Sequence, residues 1–84
     1  MSQKIRQIND ISIGKNIRKL RKTANLTQEQ VVAQLQLRNL STTRSIYSQI
    51  EAGTYNIKVS ELIALTEIFH TDFNTIFSGI SHNS

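Results

Sequence analysis

The sequence predicts an all-α domain of five short helices. Apolar residues recur at helical spacing in separate segments, no segment alternates convincingly as a strand does, and the chain contains no proline. With 84 residues, the chain is expected to form a single domain with a modest core. We expect a flexible N-terminal arm over residues 1–11, the folded domain over residues 12–80 and a disordered tail over residues 81–84.

The first helix is predicted to begin at Ser12, a suitable N-cap, and to end at Asn25, which tolerates the left-handed conformation. Its apolar stripe is expected to consist of Ile13, Ile17, Leu20 and Ala24. Four basic residues lie off this stripe and should face solvent: Lys15, Arg18, Lys19 and Lys22.

The second helix has a capping-box pattern, because Thr27 is followed three residues later by Gln30. Its buried side should be formed by Val31, Val32 and Leu35. An irregular connection over residues 36–41 follows, and two of its residues are expected to enter the core: Leu37 and Leu40.

The third helix is predicted from about Arg44 to Glu51, with Thr43 as N-cap and Gly53 closing its end at positive φ. Ile50 should be buried, with Ile46 on the same side and Tyr47 beside them. The opposite side carries hydroxyl, amide and guanidinium groups, whereas a solvated face is normally richer in Lys and Glu. These side chains therefore predict hydrogen bonding to a partner.

The last two helices follow in quick succession. A fourth helix is predicted from about Lys58 to Phe69, and its buried residues should be Val59, Leu62, Leu65 and Phe69. Asp72 should cap a short fifth helix that ends before Gly79 and bears Phe73, Ile76 and Phe77.

Basic residues are concentrated in the first part of the chain. Residues 1–50 contain nine basic and two acidic residues, whereas residues 51–84 contain one basic and four acidic residues. A basic half on a small domain suggests a polyanion partner, but a solvated basic helix would give the same pattern. Charge alone leaves both interpretations open.

The composition argues against several classes of protein. The chain has no cysteine, no apolar segment typical of a secretory signal, and no apolar run near the roughly 20 residues of a membrane span. We therefore expect a cytoplasmic protein without a membrane partner. The sequence has no nucleophile elbow, Gly-rich phosphate loop or carboxylate cluster, and His70 and His82 are isolated. We expect no enzymatic activity, no metal site and no cofactor.

Three segments in order carry a resemblance to a known family. They read "IGKNIRKLRKTANLTQEQVVAQL", "TTRSIYSQIEAG" and "VSELIALTEIFHTDFNTIF", and they span about residues 13–80. Together they resemble the lambda-repressor/Cro-like (XRE) family. The resemblance implies a five-helix lambda-repressor-like DNA-binding domain with a helix-turn-helix over residues 12–80, acting as a sequence-specific transcriptional regulator. Given the length of 84 residues, we expect no small-molecule ligand domain.

The resemblance also implies which residues would meet double-stranded DNA. The third helix would be the recognition helix, about 43–51, and its base-facing positions would be Thr43, Arg44, Ser45, Ser48 and Gln49. Gln28 would hold a phosphate at the start of the second helix. Further phosphate contacts would be made by Arg38, Thr54, Tyr55, Asn56 and Lys58. Glu51 would pair with Arg21 and brace the recognition helix. Tyr47 matches a position where the family buries an aliphatic residue and would pack in the core, although its hydroxyl could also reach a phosphate. Ile46 would be half exposed and could touch a thymine methyl.

Two features qualify the resemblance. The link between the second and third helices is longer than in the family and contains no Gly, so the resemblance does not give the entry angle of the third helix. The same fold can also serve as a protein-binding module of antitoxin or anti-repressor type. Such a module should expose apolar residues on the third helix, and the polar groups found there favour DNA. We expect a homodimer on an inverted repeat, joined near the fifth helix.

Overall fold

Five α-helices follow one another in the computed structural model, which describes residues 2–78 and, of these, the side chains of residues 13–78. Their bounds are α1 (Ser2–Thr23), α2 (Gln28–Leu37), α3 (Arg44–Ala52), α4 (Val59–Ile68) and α5 (Phe73–Ile76). The described part of the chain contains no strand, and the predicted all-α class with five helices is confirmed. None of these helices is long and apolar enough to cross a bilayer. The predicted tail over residues 81–84, together with Gly79 and Ile80, lies outside the described residues.

Helix α1 begins at Ser2, so the predicted start at Ser12 is wrong. Residues 2–11 contain neither Gly nor Pro, and a serine inside a helix costs only a fraction of 1 kcal/mol, about 0.5, so nothing local stops the helix there. The mobility expected for residues 1–11 stays a prediction. Asn25 has a φ of 60°, which confirms the predicted end of the helix. Ala24 follows the last helical residue and is exposed, so its predicted place in the apolar stripe is wrong.

Every helix contributes to one core. Its members are Ile13, Ile17, Val31, Val32, Leu35, Tyr47, Ile50, Ala64, Leu65, Ile68, Phe69 and Ile76. Two predicted core residues are instead exposed, Leu37 at 74% and Val59 at 69%. Leu37 is the last residue of α2, and Val59 is the first residue of α4. At these helix ends both side chains face solvent, whereas the inner turns of α2 and α4 pack against the core. Leu40 and Leu62 are partly buried against the core.

The caps predicted for the starts of α2, α3 and α5 form as expected. Thr27, Thr43 and Asp72 each accept a hydrogen bond from the backbone N–H three residues on, at 3.1, 3.1 and 2.9 Å. The Oε1 atom of Gln30 accepts the Thr27 N–H at 2.8 Å, which completes the capping box. Gly53 ends α3 with a φ of 80°. The start of α3 is therefore fixed by its own N-cap.

Candidate nucleic-acid interface

Helix α3 lies against α1 at a point where the two backbones nearly touch. A Cβ on Gly14 would lie 2.5 Å from the backbone oxygen of Ile50 and 2.7 Å from that of Glu51. Only glycine permits this approach, because an ordinary side chain would collide with a rigid backbone. The contact holds the C-terminal part of α3 against the middle of the domain and leaves the opposite side of α3 facing outward.

The outward side of α3 carries most of the residues predicted to face bases. Arg44, Ser45 and Gln49 are exposed, and Ser48 is half-buried beside them. Thr43 differs from these, because its hydroxyl oxygen caps the helix by accepting the Ile46 N–H. The structure therefore gathers a guanidinium, hydroxyl groups and an amide on one side of α3.

Gln28 connects the start of α2 to this surface. Its Oε1 accepts hydrogen bonds from Arg44 Nε at 2.8 Å and from Ser48 Oγ at 2.9 Å. Its Nε2 donates to Glu51 Oε1 at 3.0 Å. One amide thus joins the outer side of α3 to the buried carboxylate behind it, and Gln28 lies next to two of the predicted base-facing residues.

Arg21 and Glu51 form the base of this network. Arg21 Nε donates to Glu51 Oε2 at 2.7 Å, Arg21 Nη2 donates to Glu51 Oε1 at 3.2 Å, and Arg21 Nη1 donates to the Leu26 carbonyl at 2.9 Å. The hydrogen bond to Glu51 raises the pKa of Arg21. Burial alone would raise the pKa of Glu51, but hydrogen bonds, that from Arg21 foremost, outweigh it and leave this pKa below its ordinary value. The pair is charged and ties α1 to α3.

Tyr47 is completely buried beneath α3, as expected for a core residue. Its hydroxyl meets no hydrogen-bond partner among the described residues, and burial raises its pKa well above the ordinary value. Ile46 is partly buried against the core, so only part of its side chain reaches the outer surface. The apolar side of α3 therefore serves packing.

The predicted phosphate-contacting residues do not all lie together. Thr54, Asn56 and Lys58 are exposed in and beside the loop after α3. The Thr54 N–H is already used, since it donates to the Gln49 carbonyl at 3.0 Å, and the Tyr55 hydroxyl turns inward to Glu61 Oε2 at 3.4 Å.

Arg38 is separated from this group. It lies at the C-terminal end of α2, about 15 Å along the helix axis from Gln28. Its Nε pairs with Glu67 of α4 at 3.2 Å, and its Nη1 donates to the carbonyl and side-chain oxygens of Gln34. In this arrangement the Arg38 guanidinium holds α2 to α4.

The link between α2 and α3, residues 38–43, is shaped by two features that the sequence did not indicate: a left-handed residue and a buried hydrogen bond. Asn39 adopts a φ of 66° and so takes the role that Gly often has at a helix end. Thr42 Oγ1 donates to Glu61 Oε2 at 2.7 Å, with both residues buried, at 2% and 3% exposure. Glu61 Oε1 also accepts the Lys58 N–H at 2.9 Å. The only sequence signal was that Glu61 stands three residues after the N-cap of α4.

Glu29 is a further residue beside α3 that the sequence did not predict as part of the site. Its Oε2 pairs with Arg44 Nη1, and both side chains are exposed. Arg44 is thereby held across the N-terminus of α2, between Gln28 and Glu29. The pairing of residues so far apart in sequence has no local signature.

The two-helix unit formed by α2, the link and α3 is the arrangement called helix-turn-helix, with a polar outer face on the second helix. No curated protein and no solved structure matches the chain significantly. The helix-turn-helix domain family matches residues 14–81, which covers all but the first part of α1 and the end of the chain. Members of this family are typically DNA-binding and not enzymes. The chain therefore belongs to the helix-turn-helix domain family.

Proposed function

We propose that the protein is a sequence-specific regulator of transcription, of the lambda-repressor/Cro-like (XRE) type, which places α3 in the major groove of double-stranded DNA. The observation that carries this proposal is the outer face of α3. It exposes Arg44, Ser45 and Gln49 on a helix that the Arg21–Glu51 pair fixes to the scaffold. The major groove admits an α-helix, and each base pair presents a distinct pattern of donors and acceptors there.

Arg44 and Gln49 are the side chains best suited to read bases. A guanidinium donates twice to guanine O6 and N7, and an amide bonds both N6 and N7 of adenine; each such pair contributes about 1–3 kcal/mol of discrimination. Ser45, Ser48 and Thr43 add hydroxyl groups on the same side, although Thr43 also caps the helix. Discrimination would therefore rest mainly on Arg44 and Gln49.

Phosphate contacts would flank α3 on two sides. Gln28 stands at the N-terminus of α2, where free backbone N–H groups and the helix dipole attract anions. Beyond α3, phosphate groups would be met by Thr54, Asn56 and Lys58, and by Tyr55 only after its hydroxyl releases Glu61. Arg38 would reach a phosphate only after releasing Glu67.

We further propose that the protein binds as a homodimer to an inverted repeat. Phe73 and Phe77 stack with ring centroids 6.3 Å apart and remain 43% and 38% exposed. Ile76 between them is completely buried in the core and offers nothing to a partner. Sedimentation of wild type and Phe77→Glu tests the dimer: we expect the wild type to dimerise and the variant to be monomeric. A monomeric wild type, both free and on DNA, would remove this part of the proposal.

A protein-binding role is the competing function. The large apolar residues exposed in the described part of the chain are Leu37, Val59, Ile63, Phe73 and Phe77, and none belongs to α3. The outward side of α3 is polar, as a base-reading surface requires. We therefore prefer DNA as the partner of α3.

Selection of bound sequences from random duplexes tests the central claim. We expect the wild type to select one operator with two-fold symmetry. Arg44→Ala should lose preference at particular positions of that operator, whereas Lys58→Ala should weaken binding to all duplexes alike and lower the salt slope by about 1. The assignment of α3 as the recognition helix fails if Arg44→Ala selects the same operator with the same preference.

A further inference from the structure

The exposed side of α1 carries a cluster of four cations, which we call the basic face: Lys15, Arg18, Lys19 and Lys22. All four side chains are exposed. They recur at intervals of three and four residues, so they are neighbours on the helix surface. Like charges at this spacing repel each other, and the fold gains nothing from placing them together.

The basic face is directed away from the rest of the domain. At 3.6 residues per turn, Lys22 lies about 180° around the helix from Ile13, which is buried in the core. The side of α1 that meets α3 is marked by Gly14 and Arg21, about 100° from the centre of the basic face. A duplex held by the outer side of α3 would therefore leave the basic face free.

The charges of the basic face are not neutralised within the described side chains. The ion pairs among residues 13–78 use Arg21, Arg38 and Arg44, and none uses a member of the basic face. The other exposed sites of the described part do not repeat this concentration of one sign of charge. A partner that carries many negative charges at regular spacing would fit it.

Three kinds of partner could meet a surface of this charge. A membrane surface is bound by helices that bury an apolar side in the lipid, but the apolar side of α1 is occupied by the core through Ile13 and Ile17. A protein partner normally supplies an apolar centre to an interface, and none of the large apolar residues exposed in residues 13–78 lies on α1. A duplex backbone requires only cations along a line, because its phosphates carry regularly spaced charge.

We propose that the basic face of α1 binds the phosphate backbone of a second stretch of duplex DNA, without reading its sequence. The surface is distinct from α3, and its action does not require α3 to read bases. It gives each chain two DNA-binding sides, one selective and one general. The expected result is that a chain bound to its preferred duplex retains affinity for other DNA.

Capture of a second duplex tests the proposal directly. An immobilised preferred duplex is saturated with protein, washed, and exposed to a labelled duplex of unrelated sequence. We expect capture by the wild type and its loss in Lys19→Gln/Lys22→Gln, while binding of the variant to the immobilised duplex persists. The matched control is Ser60→Asp/Asn74→Asp, which lowers the net charge by the same amount at exposed positions outside the basic face and should still capture.

Salt dependence gives a second measurement that does not depend on the preferred duplex. Removing one phosphate contact lowers the slope of log K against log salt by about 0.9, so the slope of the double lysine variant on an unrelated duplex should fall by about 1 to 2. Equal slopes in the variant and the charge-matched control would overturn the proposal. Binding to vesicles containing anionic lipid, abolished in the variant while duplex binding is unchanged, would also overturn it and assign the face to lipid.

The proposal for α3 and the proposal for the basic face can be refuted independently of each other. If Arg44→Ala abolishes sequence preference and Lys19→Gln/Lys22→Gln still captures the second duplex, α3 reads bases and the basic face has no role in DNA binding. If Arg44→Ala leaves preference intact and the lysine variant loses capture, the basic face binds DNA and the assignment of α3 is wrong.

Discussion

The Thr42 hydroxyl donates a 2.7 Å hydrogen bond to Glu61 Oε2, and both side chains are buried. This bond joins the residue just before the N-cap of α3 to the first turn of α4. It ties the end of a link that contains no glycine to α4, immediately before α3 begins.

Replacing Thr42 by Val should destabilise the fold, because the Glu61 carboxylate would lose its closest hydrogen-bond donor while remaining buried. The expected loss in free energy of unfolding is about 1–3 kcal/mol, measured by urea denaturation. Ser41→Ala, at the exposed neighbouring position, should change it by less than about 0.5 kcal/mol. Equal stability of Thr42→Val and the wild type would show that this contact does not hold the link.

Gly14→Ala should also destabilise the protein, although alanine is the better helix former by about 1 kcal/mol. The added Cβ would meet the backbone oxygens of Ile50 and Glu51, which cannot move without shifting α3. Overpacking of this kind costs about 1–3 kcal/mol, so the net loss in free energy of unfolding should be up to about 2 kcal/mol, measured by thermal or chemical unfolding. Thr23→Ala, exposed on the same helix, is the control and should be neutral or slightly stabilising. A stabilised Gly14→Ala would contradict the close approach of α1 and α3.

The Arg21–Glu51 pair predicts a dependence of stability on pH. Because the pKa of Glu51 is lowered in the folded protein, the unfolded chain takes up a proton at higher pH than the folded chain does. The stabilisation is therefore complete above the ordinary glutamate pKa of about 4.3 and declines as pH falls toward the folded value. Glu51→Gln should flatten this part of the curve of unfolding free energy against pH.

The pKa of Asp72 is also lowered in the folded protein, because hydrogen bonds from Thr75 favour its charged form. Asp72 therefore adds to the loss of stability at low pH. The comparison should therefore be made in the Asp72→Asn background, which keeps an N-cap side chain. Parallel curves with and without Glu51→Gln would show that the pair is not the source of acid sensitivity.

Glu29→Gln should strengthen DNA binding. Glu29 holds Arg44 in the free protein and places a negative charge beside the proposed phosphate-facing end of α2. An exposed pair of this kind contributes about 0.2–1 kcal/mol, so its removal should tighten binding by up to about fivefold in a fluorescence titration. Asp72→Asn is the matched control, because it also removes one negative charge, lies outside α2 and α3 and keeps an N-cap side chain; it should change the affinity little. Weaker binding by Glu29→Gln would mean that Glu29 positions Arg44 in the complex.

The parts of the fold that could be predicted are those decided within a few residues. The caps at Thr27, Thr43 and Asp72 depend on a side chain and an N–H three residues away, and all three formed. The polar outer side of α3 could be predicted for the same reason, from the periodicity of residue types within one helix.

The parts that could not be predicted depend on contacts between distant residues or on the ends of helices. The Thr42–Glu61 hydrogen bond joins the link to α4, and the Glu29–Arg44 ion pair joins α2 to α3. Nothing in the sequence next to these residues indicates that their side chains meet. Leu37 and Val59 match the residue type of a core position, but each stands at a helix end where the helix has turned away from the core. The Arg21–Glu51 pair was available only through the family resemblance.

The hydrogen bonds of Gln28 divide the outward surface of α3 into two kinds of position. Arg44 and Ser48 are attached to Gln28, whereas the side chains of Ser45 and Gln49 make no hydrogen bond among the described residues. Substitution at the unattached pair changes the chemistry offered to a partner without disturbing the scaffold. Under the proposed function, Ser45 and Gln49 are therefore the positions at which the preference for bases can diverge, or be redesigned, at little cost in folding.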